Sequence, residues 1–238
     1  PFLNHDFYWY DHLIAIFLLG IVPALSLRSG QVDDDISEHL PPKKHLFFTN
    51  GLSLMIGALL VLTAWNISGR SWSLLGFSPI LWTHTVMVTT LVLSGLYLLD
   101  LMYSLWLPPD RSELSGLFNF IPVTWREYGP YTFLAFSAGI GEEIIFRGFL
   151  VRYLDGVFSG WPYSLWIAIT LPSLAFAVSH LYQGWLSVLK ILLISLLLGW
   201  LFILAESLYL NMIVHTAIDL LSGIAGIYTY RKMANPGP

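Results

Sequence analysis

The sequence predicts an all-α, polytopic membrane protein: about seven transmembrane helices, or eight if a further segment precedes Pro1, enclosing a polar intramembrane cavity. Three observations carry that class. Of 238 residues, 56% are hydrophobic and only 11% charged, against about 25% charged in an ordinary soluble domain. The mean hydropathy is +0.68. The apolar residues are gathered into runs of about 20, the length needed to cross the hydrocarbon. So few polar groups cannot cover a water-soluble globule, and such hydrophobicity rules out a disordered chain. Ten Trp and twelve Tyr suit the bilayer interface. The net charge of -4 excludes a nucleic-acid partner of the usual basic kind. The absence of Cys removes disulfides, thiolate metal sites and cysteine nucleophiles together.

Taken in order, the apolar runs give segments at about Tyr8 to Leu27, Leu46 to Trp65, Leu81 to Leu107, Pro130 to Leu150, Tyr163 to Leu181, Leu186 to Leu204 and Leu208 to Ile227. The third is long enough to tilt, or it ends near Asp100. The connections carry the breakers. Asp33-Asp34-Asp35 and Pro41-Pro42-Lys43-Lys44 lie in the first, and Pro108-Pro109-Asp110-Arg111 in the third. Leu114 to Ile121 reads as an interfacial helix. No basic stretch precedes the first apolar run, as a cleavable signal requires. Residues 1–238 read as a single transmembrane domain, with the chemistry-bearing motifs in 128–227. Arg28, Lys43, Lys44, Arg111, Arg126, Arg231 and Lys232 fall on one side and only Arg70 and Arg152 on the other. That bias places the N-terminus outside and the C-terminus inside.

The first three segments are mostly bland, whereas the last four hold polar groups at membrane depth. Segment four contains Gly141-Glu142-Glu143-Ile144-Ile145-Phe146-Arg147-Gly148, segment five ends Phe176-Ala177-Val178-Ser179-His180, and segment seven carries His215-Thr216-Ala217-Ile218-Asp219. Each ionised group at a helix centre costs roughly 2.5–3.5 kcal/mol, so Glu142, Glu143, Arg147 and Asp219 together cost about 10 kcal/mol before pairing. Glu143 and Arg147 are four apart and share a helix face. Glu142 is rotated about 100° away, free to face a cavity. His215 and Asp219 share a face in the same way. Each of these groups has a structural reading: an intramembrane ion pair, an interfacial His, a helix-packing hydrogen bond. Together they make a buried site for water activation. A carboxylate in apolar surroundings becomes a better general base, and a second His stabilises an oxyanion. A transporter or receptor that binds a ligand through the same groups, or an inactive scaffold, is the non-enzymatic alternative.

Lys190 is placed to snorkel, and Glu206 falls in the turn between segments six and seven. No Ser-Gly pair is preceded two residues earlier by Gly, which disposes of a Gly-x-Ser-Gly serine site. Gly-x-Gly-Asp and His-Glu-x-x-His are also absent, which disposes of the usual aspartyl and zinc protease signatures.

Glu142-Glu143-x-x-x-Arg147-Gly148, Phe176-x-x-x-His180 and His215-x-x-x-Asp219, in that order within about Gly139 to Gly223, resemble the CPBP family. That family holds type II CAAX prenyl endopeptidases and bacteriocin-processing or self-immunity proteins. The resemblance implies an intramembrane endopeptidase of the glutamate type, acting on a membrane-associated or lipidated peptide in a bacterial inner membrane. It implies that Glu142 activates water with His180, that Glu143 and Arg147 support this by pairing, and that His215 and Asp219 form the oxyanion site. Prenyl endopeptidases commonly carry Asn at the last position, and an ionised Asp219 would repel an oxyanion unless protonated or turned to orient His215. The resemblance implies no cofactor; zinc held by Glu and His with an open position is the alternative.

Depth leaves one conflict. On these spans Glu143 lies about 20 Å from the inner surface. His215 lies at a matching level in a roughly 30 Å core, but His180 falls at the inner end of its segment. Either Pro172 breaks that helix or a span is misplaced.

Overall fold

The computed structural model describes residues 7–29, 41–106 and 117–234, and every regular element among them is helical. α1 (Trp9–Ile16) runs through a π-helical turn (Phe17–Ile21) into α2 (Val22–Ser29). α3 (Lys43–Ile67), the short α4 (Trp72–Leu75) and α5 (His84–Trp106) follow. α6 (Trp125–Glu142) continues without interruption through a π-helical stretch (Glu143–Val151) into α7 (Arg152–Val157). α8 (Ser164–Val178), a 3-10 turn (Leu181–Gln183), α9 (Trp185–Ala205) and α10 (Leu208–Ala234) complete the chain.

Five helices among the described residues are long and apolar enough to cross a membrane: Trp9–Arg28, Lys43–Ile67, His84–Trp106, Trp185–Ala205 and Leu208–Ala234. These are the first, second, third, sixth and seventh expected segments, and the third runs past Asp100. The fourth and fifth depart from expectation. The fourth is part of one helix from Trp125 to Val157, and its charged groups lower its hydropathy. The fifth is a 15-residue helix, about 22 Å long at 1.5 Å per residue and short of the hydrocarbon thickness. Pro172 sits inside α8 without breaking it. The helix stops at Val178, so His180 follows its end rather than lying within the span. Of the expected interfacial helix, residues 114–116 lie outside the described residues and 118–121 form turns. The Asp33-Asp34-Asp35 run also lies outside them.

Local chemistry sets the ends of the elements. Thr124 Oγ1 accepts from Glu127 N at 3.3 Å while Glu127 Oε2 accepts from Val123 N at 2.8 Å, a reciprocal cap of two orphan amides at the start of α6. Gly76 ends α4 at φ 107°, a conformation that favours glycine. At the end of α10, Lys232 Nζ donates to Leu105 O and Trp106 O at 3.1 Å, satisfying terminal carbonyls of α5.

The α6–α7 helix is the axis of the bundle, with α3, α4, α8, α9 and α10 packed around it. All of Glu143–Val151 is buried, as expected of a helix surrounded on every side. Close approach explains the glycines beside the carboxylates. A Cβ at Gly139 would collide with Thr216 of α10, and one at Gly141 would lie 3.1 Å from Leu54 O of α3. Outward faces are apolar, with Leu91 72% exposed, as lipid contact requires. Trp9, Trp106 and Trp185 stand exposed at helix ends, the level of an aromatic belt.

Candidate active site

Glu142 and Glu143 stand where the α-helical spiral of α6 widens into the π-helical stretch, a feature often found at functional positions. Both are buried, as are Arg147 and His215; His180 and Asp219 are half-buried. Arg147 Nη1 donates to Glu143 Oε1 at 2.7 Å. Its Nη2 donates to Ser195 Oγ of α9 at 2.9 Å, and its guanidinium lies 5.2 Å from the Phe176 ring centroid, within cation–π range. Asn211 Nδ2 donates to Glu143 Oε2 at 3.1 Å and to Leu198 O at 2.8 Å. Glu143 thus meets its donors on both oxygens, and each ion of the buried pair has further hydrogen bonds, the condition for tolerating such a pair.

His215 Nδ1 lies 2.7 Å from Glu143 Oε1. A carboxylate already paired with Arg147 accepts only, so the proton is on Nδ1. Nε2 then faces Glu142 Oε2 at 3.6 Å and Asp219 Oδ2 at 3.8 Å, both beyond direct hydrogen-bond reach. His180 Nδ1 lies 2.8 Å from Phe176 O. A carbonyl also only accepts, so His180 likewise carries its proton on Nδ1 and keeps Nε2 as an acceptor. Phe176 joins the two imidazoles: its centroid is 4.6 Å from that of His180 and 6.3 Å from that of His215.

The structure therefore gathers Glu143, Arg147 and His215 through hydrogen bonds, sets Glu142 and Asp219 within 4 Å of His215, and joins His180 to them through Phe176. The sequence reasoning missed that His215 touches Glu143 and approaches Glu142. It also missed Asn211 and Ser195. Asn211 precedes His215 by four and so shares its helix face, a signal in plain register; Ser195 carries none. A second buried pair was missed too: Arg70 Nη2 donates to Asp11 Oδ1 at 2.7 Å, tying α1 to the turn after α3. Arg70 and Arg152, expected as loop charges, are both buried. Lys190 Nζ pairs with Asp100 Oδ1 at 2.7 Å, both side chains partly exposed.

Zinc fits this arrangement poorly. Glu143 is occupied by Arg147, Asn211 and His215, and the guanidinium is a competing cation at its Oε1. Among the described residues, no three of His, Asp and Glu are grouped to hold a metal ion.

The fold defines an all-helical integral membrane protein with a buried carboxylate–imidazole cluster in its interior. A family model described as type II CAAX prenyl endopeptidase Rce1-like matches residues 124–221, the segment that holds the Glu142-Glu143, His180 and His215 motifs. Over that segment the chain is similar to endopeptidases. No curated protein and no solved structure matches the chain.

Proposed function

We propose that the protein cleaves a membrane-associated peptide with a water molecule activated by Glu142 and His180, without a metal. The observation that carries this reading is the division of labour between adjacent carboxylates. Glu143 is held by Arg147, Asn211 and His215, which leaves Glu142 as the carboxylate available to a reactant. In the proposed reaction Glu142 takes a proton from water, with His180 Nε2 accepting a hydrogen bond from the same water. The hydroxide oxygen adds to the peptide carbonyl carbon, and the carbonyl electrons move onto oxygen. His215 donates to that oxyanion from Nε2 as an imidazolium, its charge compensated by Glu143 and Asp219. Asp219 orients and balances His215 rather than touching the oxyanion, consistent with the 3.8 Å separation. Collapse of the intermediate breaks the C–N bond, and the proton held by Glu142 passes to the leaving amine.

Asp at position 219 is the pattern of bacterial relatives more than of prenyl endopeptidases. On that resemblance we assign the protein to a bacterial inner membrane and its substrate to membrane-associated peptides with or without a lipid group. The test is cleavage of a membrane-soluble fluorogenic peptide by the purified parent, Glu142→Ala and His180→Ala. The expected result is turnover by the parent and loss in both variants. Turnover unaffected by both changes would overturn the assigned roles, and a parent silent across a broad peptide panel would favour a binding protein.

A further inference from the structure

We propose that Tyr97, Tyr128 and Tyr131 are positioning residues: their hydroxyls grip one turn of α10 and hold Asp219 against His215 Nε2. This inference rests on the endopeptidase reading and adds to it the residues that set the geometry of its oxyanion side.

Three consecutive carbonyls of α10 each accept a tyrosine hydroxyl. Tyr97 OH of α5 donates to Ile218 O at 2.9 Å, Tyr131 OH of α6 to Asp219 O at 3.1 Å, and Tyr128 OH of α6 to Leu220 O at 3.1 Å. Tyr97 has one hydroxyl proton and gives it to Ile218 O, so Ser222 Oγ, 2.8 Å from Tyr97 OH, donates to it. These carbonyls lie inside a continuous helix, where each already accepts from the amide four residues on. The helix needs no hydroxyls to complete its own hydrogen bonds, and each tyrosine uses a second lone pair. A buried tyrosine needs an acceptor, but that need does not gather three on successive residues centred on Asp219. Successive residues turn by about 100°, so the three cover about 200° of the helix circumference. α5 holds one side of α10 and α6 the other.

The space beside Asp219 is shaped to take Tyr131. His215, Asp219 and Gly223 follow at intervals of four and share a face. A Cβ at Gly223 would collide with the Tyr131 ring and lie 3.2 Å from that of Tyr128. The Tyr131 ring is buried and also packs edge-on against Phe47 of α3, with centroids 5.3 Å apart. α6 and α10 thus meet closely at two glycines, Gly139 against Thr216 and Gly223 against Tyr131. These contacts are about 12 Å apart along α6 and about 10 Å apart along α10, and Asp219 lies between them. The glycine contacts resist sliding of α10, and the hydroxyls resist its rotation. Rotation is the movement that would carry the Asp219 carboxylate away from His215 Nε2, 3.8 Å from it.

Tyrosine-to-phenylalanine variants test this, because they keep the rings and remove the hydroxyls. Tyr131→Phe is expected to lower kcat for the membrane peptide about 10–100-fold with KM changed by less than about twofold, and Tyr97→Phe to lower it in the same way. Tyr10→Phe removes a hydroxyl bonded to Ser68 Oγ at 2.7 Å, on α1, and is expected to leave kcat unchanged. In an Asp219→Ala background, Tyr131→Phe is expected to add a loss of less than about twofold, a coupling that general packing does not produce. A second readout needs no turnover: the imidazole nitrogen resonances of histidine-labelled protein in detergent, with His215 assigned by its loss in His215→Gln. At fixed pH, Tyr131→Phe is expected to move the His215 resonance and Tyr10→Phe to leave it in place. Parent kcat in Tyr131→Phe with the resonance unmoved overturns the proposal. An undiminished loss in the Asp219→Ala background with the resonance unmoved overturns it in favour of packing alone. A parent silent on every peptide, in which Tyr131→Phe still moves the His215 resonance, overturns the proteolytic reading and leaves the tyrosine grip on Asp219 standing.

Discussion

Glu143 is the most constrained residue of the site, because three donors converge on it, Arg147 from its own helix and Asn211 and His215 from α10. Two of them are close in register to residues that the sequence singled out: Arg147 is four after Glu143, and Asn211 is four before His215. Removing the cation should be costly for folding. Arg147→Ala is expected to destabilise the protein by about 3–5 kcal/mol, because it strands a buried carboxylate; thermal unfolding in detergent measures this. Arg147→Lys is expected to recover only part of the loss, since an ammonium cannot span Glu143 and Ser195 as the guanidinium fork does. Asn211→Leu acts differently. It frees Glu143 Oε2 and lets the carboxylate turn, so kcat is expected to fall about 10–100-fold with little change in KM. The i,i+4 spacing to Arg147 already marks Glu143, and not Glu142, as the held carboxylate. The further hold comes from where α10 brings Asn211 and His215, a tertiary fact that no spacing along segment four contains.

At the scale of elements, the helix Trp125–Val157 is legible as an apolar run interrupted by charge, but its extent is not. The expected ends, Pro130 and Leu150, come from hydropathy, whereas the helix is extended by the Thr124 cap at one end and buried Arg152, Tyr153, Leu154 and Asp155 at the other. α8 was misread for a related reason. Apolar residues continue beyond Val178, so hydropathy carries the span to Leu181, but the backbone turns at Ser179. That turn leaves His180 beside Phe176, which also contacts His215, without any break at Pro172. The α6–α10 contact depends on the missing side chain at Gly139. Gly139→Val is expected to force these helices apart, lowering thermal stability by about 1–3 kcal/mol as an overpacking change and abolishing peptide cleavage. Asp11→Leu, by contrast, leaves Arg70 buried without its carboxylate. It is expected to lower the unfolding temperature while the folded fraction keeps its kcat, because that pair fastens α1 and touches no site residue.

For the whole molecule, the scarcity of charge identifies the solvent as lipid, and the placement of the remaining charges locates the function. Two buried arginine–carboxylate pairs among the described residues serve different ends. Asp11–Arg70 fastens an outer helix, and Glu143–Arg147 orders the site around Glu142. Low charge content alone marks neither; the difference lies in what surrounds them. Arg70 stacks on Trp65 with its guanidinium 4.3 Å from the ring centroid, whereas the Glu143 cluster adjoins a second carboxylate and two histidines. The central claim is that Glu142 is the base in a metal-free hydrolysis. Its most direct measurement is the cleavage rate of a membrane-soluble peptide by the parent and by Glu142→Gln, each with and without a strong zinc chelator. The expected result is a loss of at least about a thousandfold in Glu142→Gln and an unchanged parent rate under chelation. A Glu142→Gln protein that cleaves at the parent rate, or a parent silenced by chelator and restored by zinc, would contradict it.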